Sequence, residues 1–325
     1  MRLKQSPNKN TLDFIIIGAQ KAGTTTLFSF LKKHPKIYMP PEKEAPFFSH
    51  DKRYVKGLGP YIKEFFDGAP INAIWGKATP YYMMGYQSTS VETIAERIKT
   101  TFPNVKLIAI LRNPIERAIS HYRMSLRRGL ENRSFEEAVH QLLDGDALKE
   151  ARMHPTETNS YIIQGEYARI LNIYYQLFER GHLFIAFTEE LESNPGRLLK
   201  AIFNFLEVDD KFVSFNLKAK CHIGGTKRRI PWLYGNIENW PIFQYSPLRF
   251  ILLKIPAKFR RQFNYWFEQW NILKDDGGKE IDPSVRDKLK KFYQKDMEAL
   301  ARLLNREIPW RDFSSIYTKS ENSHL

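Results

Sequence analysis

A single cysteine, Cys221, stands in 325 residues. No disulfide can form within such a chain, no cysteine-based zinc site can be built, and the count fits a reducing cytoplasm. The eight histidines contain no His-Glu-x-x-His pairing, so no dedicated metal site is expected. No apolar run reaches the 18 residues a membrane span needs, and the polar start at Met1-Arg2-Leu3-Lys4 carries no stretch of signal-peptide length. Cytoplasm is therefore the expected compartment. Acidic residues are in deficit, 36 Asp and Glu against 50 Lys and Arg, for a formal net charge of +14. That imbalance favours an acidic partner, whether nucleic acid, an anionic membrane surface or an anionic cofactor and substrate, and charge alone does not choose among them. There is no internal repeat and no low-complexity tract. Apolar residues are plentiful, at 42% of the chain with 14% aromatic, enough for a large core. Flexibility is expected only at the ends, residues 1–11 and 318–325.

The chain is organised around residues 13–27. Residues 14–17 are uninterruptedly apolar, the pattern of a strand buried on both faces of a parallel sheet. Gly18 and Gly23 bracket a tight turn, and residues 24–33 read as a helix with Leu27, Phe30 and Leu31 facing inward. A strand, a glycine-bounded turn and a helix start make an anion site from converging amides and the helix dipole. The spelling departs from a nucleoside-triphosphate loop: Thr24 stands where the invariant lysine would be, and Lys21 lies inside the loop instead. Nothing later looks like the apolar strand ending in Asp that would hold a magnesium ion. The alternative reading, on the glycines alone, is an ordinary strand-to-helix turn that happens to be glycine-rich.

Gly18-Ala19-Gln20-Lys21-Ala22-Gly23-Thr24-Thr25-Thr26-Leu27 resembles the 5′-phosphosulfate loop of sulfotransferases that use 3′-phosphoadenosine 5′-phosphosulfate (PAPS). It is most similar to the branch holding the bacterial enzymes and the heparan-sulfate sulfotransferases. A second motif follows the apolar strand at 105–111: Arg112, then Asn113-Pro114 opening a helix, then Ser120. Arginine at the carboxyl end of the strand and serine eight residues on match the family's 3′-phosphate motif; alone, Arg112 reads as a helix-start arginine paired with a carboxylate. Lys43-Glu44-Ala45-Pro46-Phe47-Phe48 resembles the setting in which the heparan-sulfate branch keeps its general base, Glu44, although by itself it reads as a surface carboxylate among prolines. Its aromatic neighbours are expected to cover Glu44 partly. Gly76-Lys77-Ala78-Thr79-Pro80-Tyr81 resembles a Glu-Lys-Ser-Pro-x-Tyr segment with Gly76 replacing the acid, and Lys77 is either a solvated loop lysine or a group that steadies the sulfonate or the acceptor.

Further elements are read as a helix at 91–101, a helix at 135–143, a polar loop at 144–158, a helix running to Phe178, a strand at 183–187, a helix at 198–206 and a last helix at 284–304, with Val285, Leu289, Phe292, Leu300 and Leu304 near one stripe. Cys221 to Arg229 forms a glycine-containing basic loop; by resemblance, Lys227 and Arg228 would lie over the donor's adenosine and 3′-phosphate. Residues 230–280, rich in aromatics and cations, read as a helical cap or acceptor-side region, with a membrane-surface face as the other reading.

Together these features give an α/β fold, a three-layer P-loop-like domain over residues 12–313 with a parallel sheet of about five strands. The resemblance implies a PAPS-dependent sulfotransferase acting on a hydroxyl or, second, an amine of a carbohydrate, lipid or small metabolite. Lys21, Ala22, Gly23, Thr24, Thr25, Thr26, Arg112, Ser120, Lys227 and Arg228 would bind the donor, Glu44 and Lys21 would carry the chemistry, and Lys77 and His50 would face the acceptor. His50 and His121 are the other candidate bases. No metal and no nucleic-acid partner is expected, and peripheral membrane contact is left open. A nucleotide-dependent phosphotransferase with a variant loop, or a non-catalytic basic binding protein, are the alternatives.

Overall fold

The computed structural model describes residues 9–212 apart from 45, 87 and 88, together with 227–228, 263, 267, 272–273 and 281–316. In chain order the described elements are β1 (Phe14–Gly18), α1 (Thr24–Leu31), β2 (Ile37–Tyr38), α2 (Asp51–Tyr54), α3 (Leu58–Phe66), β3 (Ile74–Ala78), α4 (Val91–Thr101), β4 (Lys106–Leu111), α5 (Pro114–Arg127), α6 (Phe135–Leu142), α7 (Gly145–Met153), α8 (Tyr167–Leu177), β5 (Leu183–Phe187), α9 (Thr188–Ser193), α10 (Pro195–Phe205), the two-residue strands β6 (Lys227–Arg228) and β7 (Ile272–Leu273), and α11 (Pro283–Leu304). A 3₁₀ turn, Pro80–Met83, follows β3.

Five strands form one parallel sheet in the order β2-β3-β1-β4-β5. Every residue of β1 is buried, as is all of β4 after Lys106, because helices cover both faces and leave no face for alternation. The chain leaves β1 toward β3 and β2 and then returns to its other side with β4. β1 therefore stands at the point where the order reverses, and such sheets bind ligands outside the carboxyl ends of strands at that point.

β1, β4, β5 and the α4 helix lie where periodicity puts them, whereas β3 runs through Gly76 and Lys77 to Ala78. Residues 144–158 do not form the expected loop: α7 occupies most of it. Asp144 accepts a hydrogen bond from the amide of Asp146 at 3.1 Å and so caps the helix. Ala151 is the one buried residue on α7, so no apolar stripe announces it. On α11 the inner face is Val285, Leu289, Tyr293, Met297, Leu300 and Ala301, whereas Phe292 and Leu304 are only partly buried. The difference arises because the Tyr293 hydroxyl is drawn inward to the Ile162 carbonyl at 2.8 Å. α2 and α3 fill the stretch after the Glu44 loop. The proposed cap at 230–280 lies almost entirely outside the described residues, and Lys227 and Arg228, read as loop residues, sit on β6 in antiparallel pairing with β7.

Candidate active site

At the end of β1 the loop 19–23 is tied to the sheet. The Ala19 amide donates to the Ile110 carbonyl at 2.8 Å, and the Thr188 hydroxyl is shared between the carbonyls of Ala22 (2.8 Å) and Leu111 (3.0 Å). Gly23, with φ at 99°, precedes α1; that left-handed conformation favours glycine, and a Cβ there would press on the Leu191 side chain at 3.2 Å. The amides at the start of α1 follow directly, with Thr24 buried and Thr25 and Thr26 half-buried. Arg112 directly follows β4 and donates to the Lys21 carbonyl at 3.3 Å, while its own carbonyl accepts from Tyr167 at 2.7 Å. Asn113 caps α5 through bonds from the amides of Ile115 and Glu116 and also donates to Asp312 at 2.8 Å. Asp312 in turn holds Arg286 of α11. Ser120, two turns into α5, is half-exposed. Lys21 and Arg112, separate in sequence, thus share one crevice.

Burial pushes the Lys21 ammonium down to about 8, and the charges of Arg127, Arg128, Arg112 and Lys43 push the same way. Among the described residues it has no carboxylate partner. An ammonium buried among other cations is costly unless an anion arrives, so the residues present fit a multiply charged anionic ligand.

The segment carrying Glu44 is pinned at both ends. Lys77, read as a possible loop lysine, lies on β3 with 1% of its surface exposed. It donates to the Glu42 carbonyl at 2.5 Å and sits 4.5 Å from the centre of the Phe65 ring; burial pushes it too down to about 8. At the other end the amides of Phe47 and Phe48 donate to the Tyr82 hydroxyl at 3.2 and 3.4 Å, and Arg97 donates to the Phe48 carbonyl at 2.9 Å. The expected cover over Glu44 does not form. Phe47 and Phe48 turn inward to stack with Tyr54, Tyr61 and Tyr82, leaving Glu44 exposed and paired with Lys43 at 3.0 Å. Gly76 stands where the resembling segment has an acid because the Phe14 ring occupies the place of any Cβ.

His50 is half-buried at the start of α2, with Nδ1 buried and unpartnered. His121 is wholly buried, and desolvation drives its pKa down to about 4, which keeps the imidazole neutral at neutral pH and away from solvent. Its Nε2 donates to Glu157 at 3.1 Å. Glu157 carries no motif signal, since it lies in the stretch 144–158 that reads only as a polar loop. It also accepts from the Tyr81 hydroxyl at 2.7 Å and has Arg128 at 3.8 Å. Burial opposes its ionisation, but the bonds from His121 and Tyr81 and the Arg128 charge outweigh it and hold the carboxyl down at about 2.

An open groove of about 450 Å³ lies by Asp13, Lys106 and Glu207 at the opposite, amino-terminal ends of the strands and shares no residue with this crevice. Among the described residues no cluster of three or more His, Cys, Asp or Glu could hold a metal ion, and no helix is long and apolar enough to cross a membrane.

Residues 11–218 match the sulfotransferase domain family. The membrane-associated sulfotransferase kil1 of Dictyostelium discoideum is 35% identical over 140 residues, 41% of this chain and 28% of that protein. The mouse heparan sulfate glucosamine 3-O-sulfotransferase 5 is 24% identical over 300 residues, 91% of this chain and 73% of that one. A human bifunctional heparan sulfate N-deacetylase/N-sulfotransferase 2 is 27% identical over 203 residues, though the match spans only 22% of it. In fold, a sulfotransferase from Alicyclobacillus acidocaldarius superposes with a TM-score of 0.62 at 23% identity, covering 92% of this chain and 97% of the other. With the family match reaching across the phosphosulfate-type loop, the Arg112 junction and β5, the chain belongs to the sulfotransferase domain family.

Proposed function

We propose that the protein transfers a sulfuryl group from PAPS to a hydroxyl, or second an amine, of an acceptor, with carbohydrate the acceptor class favoured by the heparan-sulfate names among its relatives. The observation that carries the reading is Lys21: a half-buried ammonium that has no carboxylate partner among the described residues, crowded by Arg112, Arg127, Arg128 and Lys43 at the switch point of the sheet. Bound there, the donor supplies the sulfuryl group and leaves as 3′,5′-ADP.

In this reading Lys21 and the amides of Ala22, Gly23, Thr24, Thr25 and Thr26 hold the charge that gathers on the departing phosphate oxygen. Arg112 and Ser120 grip the 3′-phosphate, and Lys227 and Arg228 lie on the adenosine side. The acceptor oxygen bonds to sulfur while the bond from sulfur to the 5′-phosphate breaks, its electron pair leaving on the phosphate. Glu44 takes the acceptor's proton. Its exposure keeps it available at the mouth, and the hold of Lys77 and Tyr82 on the flanking backbone fixes its place. Positioning and charge stabilisation thus do most of the work. The cytoplasm is the compartment we propose, on the single cysteine; one relative is described as membrane-associated, and a peripheral membrane contact is compatible with the net charge of +14.

Thermal shift tests the reading. 3′,5′-ADP is expected to raise the melting temperature, and ATP with magnesium to do so much less. The reverse order points to a phosphotransferase, and protection by neither, with salt-sensitive binding to polyanions, to a basic binding protein.

A further inference from the structure

We propose that Tyr81, held by Glu157, is the group that orients the acceptor's attacking hydroxyl. The inference rests on the sulfuryl-transfer reading and goes beyond it. The 3₁₀ turn Pro80–Met83 sits directly on the phosphosulfate-type loop: a Cβ on Gly18 would strike the Met83 side chain. Tyr81 is half-buried on that turn. Its hydroxyl gives its one proton to Glu157 Oε1 at 2.7 Å, so the phenol oxygen keeps lone pairs for an incoming donor. The other Glu157 oxygen accepts from His121 Nε2 at 3.1 Å, and His121 Nδ1 faces the Gln164 amide nitrogen at 3.5 Å. Gln164 Oε1 accepts from the buried Arg117 at 3.2 Å. This chain fixes Glu157 from behind. It lets the tyrosine point only one way.

The same tyrosine feels the charges of Glu44 and Arg128, and Arg128 acts on Lys21. A hydroxyl that donates to the Tyr81 oxygen keeps its own lone pairs for the sulfuryl group; as the oxygen–sulfur bond forms and the bond from sulfur to the 5′-phosphate breaks, that one proton turns about the carbon–oxygen bond from Tyr81 to Glu44. Burial and the Glu157 charge both push the Tyr81 phenol's pKa up, so it stays protonated and serves as an orienting group, not as the base. Glu157 is a positioning residue, because it acts through Tyr81.

The experiment follows release of 3′,5′-ADP from PAPS, first with water as the acceptor and then with a sulfate-free heparan oligosaccharide, beside calorimetric affinity for 3′,5′-ADP. Tyr81→Phe is expected to lower kcat roughly 10- to 100-fold, the scale of a misplaced nucleophile, with 3′,5′-ADP affinity unchanged. Glu157→Gln is expected to lower it in the same way and Glu157→Asp to recover part of the loss, which a purely structural role would not produce. Unchanged kcat in Tyr81→Phe overturns the proposal. So does a wild-type chain that binds 3′,5′-ADP yet releases none from PAPS, since an oriented site has water to hold. A chain that binds no 3′,5′-ADP at all overturns the sulfuryl-transfer reading itself. If Tyr81→Phe fails to fold, Glu157→Gln with equal kcat to wild type overturns the proposal alone.

Discussion

Lys21 shows how much a single side chain carries here. Its ammonium titrates near 8 in the folded chain against 10.5 for an ordinary lysine, first because it is buried and then because Arg127, Arg128, Arg112 and Lys43 repel it. The charged form is the one that binds an anion, and an anion in the crevice raises the pKa again. Affinity for 3′,5′-ADP is therefore expected to be full below pH 8 and to fall as pH rises through it, with binding taking up close to one proton between pH 8 and 10. Calorimetry in two buffers of different ionisation enthalpy reads that uptake directly. Lys21→Ala should abolish it and cut turnover by roughly two orders of magnitude or more; wild-type binding without proton uptake would show that Lys21 already carries its charge unopposed. Glu44 illustrates the other side. Its place in the chain is readable from the motif, but its exposure is set by where Phe47 and Phe48 find partners, and those partners are Tyr54, Tyr61 and Tyr82.

The elements that position the site are those whose sequences leave no alternative packing. β1 and β4 are apolar throughout because both faces are covered, and a run of that kind is recognisable without knowing what covers it. α7 is the opposite case, a helix held by its cap and one buried alanine, which has no period to read. β3 contains the point most sensitive to change. Gly76 pairs with Phe14 of β1 and gives its ring room. Gly76→Ala is expected to destabilise the fold by about 1–3 kcal/mol, the usual cost of overpacking a filled core, with m-value unchanged in urea unfolding. Since Lys77 follows directly, the variant should also lose turnover. Wild-type stability would mean that the Phe14 ring can move aside.

Across the whole molecule, the hydrogen-bonded chain from Arg117 through Gln164, His121 and Glu157 to Tyr81 joins α5, the segment before α8, the 154–160 connection and the turn after β3. His121 is lowered to about 4 in the folded state, against 6.5 when unfolded. The unfolded chain thus binds a proton that the folded chain refuses, and stability is lost as pH falls from about 6.5 to about 4. Glu157, at about 2 against 4.5, adds a further loss as pH falls from about 4.5 through 2. Urea midpoints at pH 7, 5.5 and 4 are expected to decline steeply for the wild type and less for His121→Phe, whose midpoint at pH 7 should be lower because Glu157 loses a donor. Parallel declines for the two would remove His121 as the source. The net charge of +14 acts on the same scale by drawing an anionic donor in, an effect that salt weakens.

The sequence by itself determined the strands β1, β4 and β5, the two strand-to-helix junctions with Lys21 and Arg112, and hence the family, because each depends on a local pattern: an apolar run, a glycine turn, an arginine before Asn113-Pro114. The tertiary structure alone decided what lies beside what. That Lys77 latches the Glu42 backbone, that His121 is neutral and withdrawn, and that Glu157 holds Tyr81 across 76 residues of chain are all products of packing. A carboxylate's partner and exposure are set by groups distant in sequence, and no local period or motif encodes them.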